Sequence, residues 1–287
     1  MQWRGRRTSR NIEDRRGGRG VRRAGGGFGI GAIVLLAASV FFPDAVPLLR
    51  MVGVGQDGGG AISTSTGAGA GVNDQYREFI GVTLADTEDV WNQIFAQSGQ
   101  RYPEPALVIF GGKTSSPCGP ASTGSGPFYC PGDNKIYIDP AFYEVMNKRL
   151  GAPGDFAAAY VVAHEVAHHV QNVTGVIPKV DAERRRVSKV EANRLTVRLE
   201  LQADCYSGVW THLIQKKKQI LEEGDLQEAL NAAFAIGDDT LQRKSGHINP
   251  ASFTHGTSQQ RVNWFFKGLQ SGNINVCDTF SQGYNQL

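Results

Sequence analysis

The chain lacks any CxxC pair, any internal repeat and, beyond its first two dozen residues, any surplus of basic charge. Without paired spacing, the cysteines Cys118, Cys130, Cys205 and Cys277 do not read as a four-thiolate metal site. Four thiols allow two disulfides in an oxidising compartment, or four buried reduced side chains. Without repeats, the chain is not read as an array. Residues 1–24 hold nine arginines against Glu13 and Asp14, so the remainder of a chain of net charge +3 is mildly acidic. That balance speaks against a nucleic-acid surface on the body.

Charge is also missing from residues 27–42, GFGIGAIVLLAASVFF, and apolar character continues past Pro43-Asp44 to Leu49. A membrane helix needs about 20 residues, which 27–49 supplies. The sequence divides into an Arg/Gly-rich cytoplasmic tail (1–26) expected to be disordered, a transmembrane anchor (27–49), a Gly/Ser/Thr-rich linker (50–72) and a folded domain (73–287). Arginines before the anchor predict a single-pass protein of the bacterial inner membrane, N-terminus cytoplasmic and domain outside. A cleaved signal peptide is the rival reading, but no A-x-A site follows Phe42. The arginine tail fits topology and anionic lipid better than nucleic acid.

The domain reads as α+β and mostly helical, with a small sheet near its start. Apolar spacing predicts a helix over 74–98, broken near Asp86-Thr87. ALVIF (106–110) and KIYI (135–138) read as strands, with Gly/Pro/Ser-rich loop or hairpin over 111–134. Further helices are expected over 140–150, 155–174, 181–191, 194–218, 225–242 and 257–270.

His164-Glu165-Val166-Ala167-His168 lies inside the apolar run AAAYVVAHEVAHHV. Residues i and i+4 share a helix face, so both imidazoles can reach one zinc ion. Glu165 is placed to act as general base on a zinc-activated water. A half-exposed pair of histidines is the plain alternative, but Val161, Val162, Val166 and Val170 mark a core helix, where unpaired polar groups are costly. Glu200 and Asp204 follow on the next long helix, again one turn apart, Glu200 standing 32 residues after His168. Glu200 can complete a three-ligand site with one open corner, and Asp204 can accept the free ring N–H of a ligand histidine.

HEVAHHVQ and VRLELQADCYSGVW, with NIEDRRGG near the start, GPFYCPGDNKIYID in the middle and THGTSQQRVNWF late, resemble the family of "putative neutral zinc metallopeptidases", membrane-anchored proteins of bacteria. The resemblance implies a zincin-like fold of gluzincin type, one Zn2+ per chain on His164, His168 and Glu200, and Glu165 as base. A peptide or protein substrate is implied with it. Thr254-His255-Gly256 followed by Arg261 is similar to the Thr-His-Pro…Arg segment of membrane zinc peptidases of the prenyl-protease type, with Gly256 where those carry proline. It implies that His255 donates to the oxyanion, with Arg261 orienting it or pairing with Asp204 or Glu200. His169, His212 and His247 read as structural.

Cys118 and Cys130 flank 11 residues, and a bridge there would close a hairpin; Cys205 with Cys277 would pin the C-terminal segment. Cys205 as a zinc ligand fails because it points about 100° away from Asp204. Gly126-Pro127-Phe128-Tyr129 is the candidate edge for a substrate strand. The rival function is a non-catalytic zinc-binding exported module that holds a protein partner.

Overall fold

The structure is a computed structural model and describes residues 1–16, 74–243 and 246–287. The expected anchor (27–49) and linker (50–72) lie outside the described residues. Among the described residues, no helix is long and apolar enough to cross a membrane.

The first element corrects the expectation of a disordered tail. Residues 1–16 join residues 75–287 in one compact unit. Strand β1 (Ile12–Asp14) pairs in parallel with β2 (Ala106–Ile109), Ile12 opposite Leu107 and Asp14 opposite Ile109. Between them runs helix α1 (Gln75–Gln97), which is continuous through the expected break. Asp86 and Thr87 are buried there because each has a partner. Asp86 takes Arg6 and, at 2.9 Å, Lys218, while the Thr87 hydroxyl donates to the Leu84 carbonyl. Burial pushes the Asp86 carboxyl up, against the pull of both cations.

The loop-or-hairpin stretch forms hairpin β3 (Lys113–Ser116) and β4 (Gly119–Ser122), then β5 (Phe128–Cys130). β6 (Lys135–Ile138) follows. The main sheet has the order β1-β2-β6-β5, parallel except for β5, so β5 is one edge. A short helix α2 (Ala141–Val145) runs into a π turn and stops at Gly151.

Helix α3 (Asp155–Val173) carries the HExxH motif through the centre of the core. α4 (Val176–Arg184) restarts directly after Gly175, with Pro178 inside its first turn, where its missing N–H costs nothing. α5 (Lys189–Lys218) begins at Ser188, whose hydroxyl accepts the Glu191 amide, and ends on three lysines that suit the helix dipole. The single helix expected over 225–242 is two, α6 (Asp225–Ala235) and α7 (Asp238–Arg243). Gly237 separates them at a close approach: a β-carbon there would meet the Ser258 amide nitrogen at 2.3 Å. α8 (Ser258–Ser271) starts with a Thr257–Gln260 capping box.

α5 and α8 touch backbone to backbone. A β-carbon on Gly208 would stand 2.0 Å from the Phe265 carbonyl oxygen, and one on Gly268 2.0 Å from that of Cys205. Cys205–Cys277 and Cys118–Cys130 are both disulfides, and no described cysteine is free. The first bridge spans a sequence separation of 72 and straps the C-terminal segment to α5.

Candidate metal centre

Helical periodicity on two neighbouring helices builds the centre. His164 and His168 lie one turn apart on α3, and Glu200 faces them from α5. One ligand atom from each lies within 4.8 Å of the others. His164 Nε2 is 3.0 Å from Glu200 Oε2, and His168 Nε2 is 3.4 Å from Glu200 Oε1.

The other ring nitrogens are tied down. His168 Nδ1 is 2.8 Å from the Gln171 side-chain oxygen, a bond that fixes the proton on Nδ1. Gln171 is itself held by its amide, which donates to the Leu199 carbonyl and to Gln202. His164 Nδ1 stands 2.9 Å from Asp204 Oδ1, a close charge contact that departs from hydrogen-bond alignment. Asp204 is fully buried and chelated by Arg261, whose Nε and Nη2 each donate at 2.9 Å. The Tyr160 hydroxyl donates to the same carboxylate. Burial raises the Asp204 carboxyl, but the Arg261 charge and His164 outweigh it and hold it below its ordinary value.

The donor set fits zinc. Two Nε2 lone pairs and a carboxylate converge, all acceptors, and such a meeting is repulsive unless a cation or proton lies among them. Burial opposes the charge on Glu200, yet His168 and His164 hold its carboxyl well below the usual range. Burial likewise lowers His164, but Asp204 and Glu200 overcome it and push it up to about 9. The two carboxylates beside it thus favour a proton on His164. The stabilisation it gives is complete below the free imidazole value near 6.5 and fades as pH rises through 9. A cation held by these three groups must displace that proton. Its affinity should climb by about tenfold per pH unit across this window, read by chelator competition. A flat affinity from pH 7 to 9 would remove His164 from the ligand set.

Glu165 follows the first histidine, is 8% exposed, and makes no hydrogen bond or ion pair to a described residue. His255 sits on the loop before α8, with Gly256 against Val197 and Leu201 of α5. Asp238 lies at its ring, while Arg261 pairs with Asp204, the second of the arrangements expected. Asp238 Oδ2 accepts the amides of Thr254, His255 and Gly256 at 2.7, 2.6 and 3.0 Å, and Oδ1 lies 3.3 Å from His255 Nδ1. Gly256 has φ of 87°, which proline cannot adopt, so the glycine is required by this loop. Burial lowers the His255 imidazole, but the Asp238 bond and the Glu200 charge raise it above its ordinary value.

The sequence reading missed Asp238, Gln171 and Tyr160. Gln171 had a signal, since it lies three residues after His168 on the same face. His169 is a core residue, its ring between the Pro103 carbonyl and the Tyr129 hydroxyl. A second acidic group, Asp155, Asp225 and Glu228, is occupied by protein donors: the Met1 amino group, the Trp3 indole and the Phe156 amide.

A sequence profile for the family described as "Putative neutral zinc metallopeptidase" matches residues 1–280. "Uncharacterized protein YpfJ" of Escherichia coli (strain K12) is 47% identical over 292 residues, covering 98% of this chain and 99% of its own. "Uncharacterized protein Rv2575" of Mycobacterium tuberculosis is 44% identical over 191 residues, 63% of this chain and 64% of its own. No solved structure matches the chain.

Proposed function

Because the chain belongs to the family of "putative neutral zinc metallopeptidases", we propose that it is a zinc-dependent peptidase with Glu165 as general base. The observation that carries this reading is the convergence of His164 Nε2, His168 Nε2 and the Glu200 carboxylate, with His168 Nδ1 bonded to Gln171 and His164 Nδ1 2.9 Å from Asp204. Bound zinc supplies a Lewis acid that polarises a carbonyl and acidifies water. The residues supply the rest. Glu165, unengaged beside His164, takes a proton from the attacking water and returns it to the leaving amine. Gln171 and Asp204 fix ring orientation, and Arg261 with Tyr160 keeps Asp204 charged while buried. His255, held by Asp238, offers a donor to the developing oxyanion.

The reading puts a peptide substrate beside β5, which is an edge of the sheet. The strand is tied to the motif helix through the Tyr129 hydroxyl, which meets His169 and Asn172. Its far end is anchored by the Cys118–Cys130 bridge. An extended peptide would add as a further strand there, bonded along its main chain.

The test is zinc analysis of the intact chain together with digestion of a peptide library. One zinc per chain and zinc-dependent cleavage are expected. Zinc without cleavage of any peptide would favour the non-catalytic binding module. Asp238→Asn keeps an oxygen for the loop amides but turns an NH2 toward His255. It should lower kcat about tenfold with KM and zinc content unchanged. In a His255→Ala background the same change should cost nothing more; an additive loss would show that Asp238 acts elsewhere.

A further inference from the structure

We propose that residues 1–16 and residues 75–287 lie on the same side of the membrane, the oxidising side, so that no single crossing separates them. Strand β1 is bonded into the sheet of the domain. The Leu107 amide donates to the Asn11 carbonyl and the Arg15 amide to the Ile109 carbonyl, each at 2.8 Å. The Ser9 amide donates to Gly81 of α1 at 2.8 Å. Such bonds cannot bridge a hydrocarbon layer about 30 Å thick. Met1 and Trp3 are part of the main core, Trp3 at 4% exposure with its ring edge-on to Phe79. The two ends of the intervening chain also meet, with Asp14 3.8 Å from Arg77.

Five of the nine arginines before the expected anchor are held within the fold. Arg6 pairs with Asp86, Arg7 with Glu88 and Asp89, Arg15 with Glu13 and Arg16 with Asp14. Arg4 lies 4.6 Å over the Trp3 ring. The side is assigned by the disulfides Cys118–Cys130 and Cys205–Cys277, which persist where thiols are oxidised.

The test labels the full-length chain in intact cells with a membrane-impermeant maleimide, using R10C and K216C, both at exposed positions. Equal labelling of the two variants is expected. Labelling of K216C with protection of R10C would overturn the shared side, and protection of both would overturn the oxidising side. A second measurement stands on its own. In T8C/G81C the two β-carbons would lie near the 3.1 Å that separates Thr8 Cβ from a β-carbon built on Gly81, a few tenths of an ångström inside the usual disulfide span. With a protease site inserted after Gly58, the cut halves should stay joined until reductant is added. Halves that separate without reductant, beside unequal labelling, would establish opposite sides.

Discussion

Glu165→Gln should bind zinc as the parent chain does and lose peptide hydrolysis by about two to four orders of magnitude, the usual contribution of a positioned general base. The expectation rests on how little else Glu165 does. It is not among the converging ligand atoms, and no described side chain is engaged by its carboxylate. The amide variant keeps shape and removes only the proton acceptor. His164→Ala should behave differently, losing both metal and activity, because it takes away a ligand atom and leaves the buried Asp204 facing a void. Zinc content and kcat measured on the same samples separate the two cases. A Glu165→Gln enzyme retaining more than a tenth of parental kcat would sink the assignment of the base.

The second large effect is on folding. A chain beginning at Asn73, the boundary that composition alone suggests, should not fold. Asp86 is 0% exposed and takes Arg6 as a partner, while Glu88 takes Arg7, the Ser9 hydroxyl and Asn11. Asp86 would keep Lys218, but Glu88, 4% exposed, would lose all three of these partners, and a buried charge left uncompensated costs about 3–5 kcal/mol. Loss of the buried Met1 and Trp3 side chains removes roughly 1.5–3 kcal/mol each. Together these rival the 5–15 kcal/mol that typically holds a whole domain. A chain that keeps residues 1–16 and replaces 17–73 by a short Gly/Ser linker should fold, since Asp14 and Arg77 are neighbours. Circular dichroism and limited proteolysis of the two would decide. A cooperative transition in the truncated chain within a few degrees of the linked one would refute the claim.

Both surprises of the fold are the same fact seen from two ends. Residues 1–16 read as disordered because they hold few apolar side chains among many arginines. Helix α1 read as broken because Asp86 is a poor residue for a buried face. Each is explained by the other, and no local pattern joins positions 6 and 86. The convergence of His164, His168 and Glu200 was legible for the opposite reason. HExxH and ExxxD each encode a shared face within one turn, and a single contact between α3 and α5 brings them together. Asp238 was hidden because an acid in a helix's first turn is ordinary. Only the folded loop reveals that three amides and an imidazole point at it. Gly256 in place of proline was the trace left in the sequence, since it marks a backbone that needs positive φ.

The contact of α5 with α8 at Gly208 and Gly268 leaves no clearance between the two helices. Where helices meet through side chains, a rotamer can absorb a small error. Here bare backbone meets bare backbone at Cys205, one residue past Asp204, and Arg261 rides on the opposing helix two turns before Gly268. A single methyl group added at either glycine would have to wedge the helices apart, and the wedge would open directly under the carboxylate that steadies His164. The fit of the metal cradle is thus set by two residues that have no side chain at all.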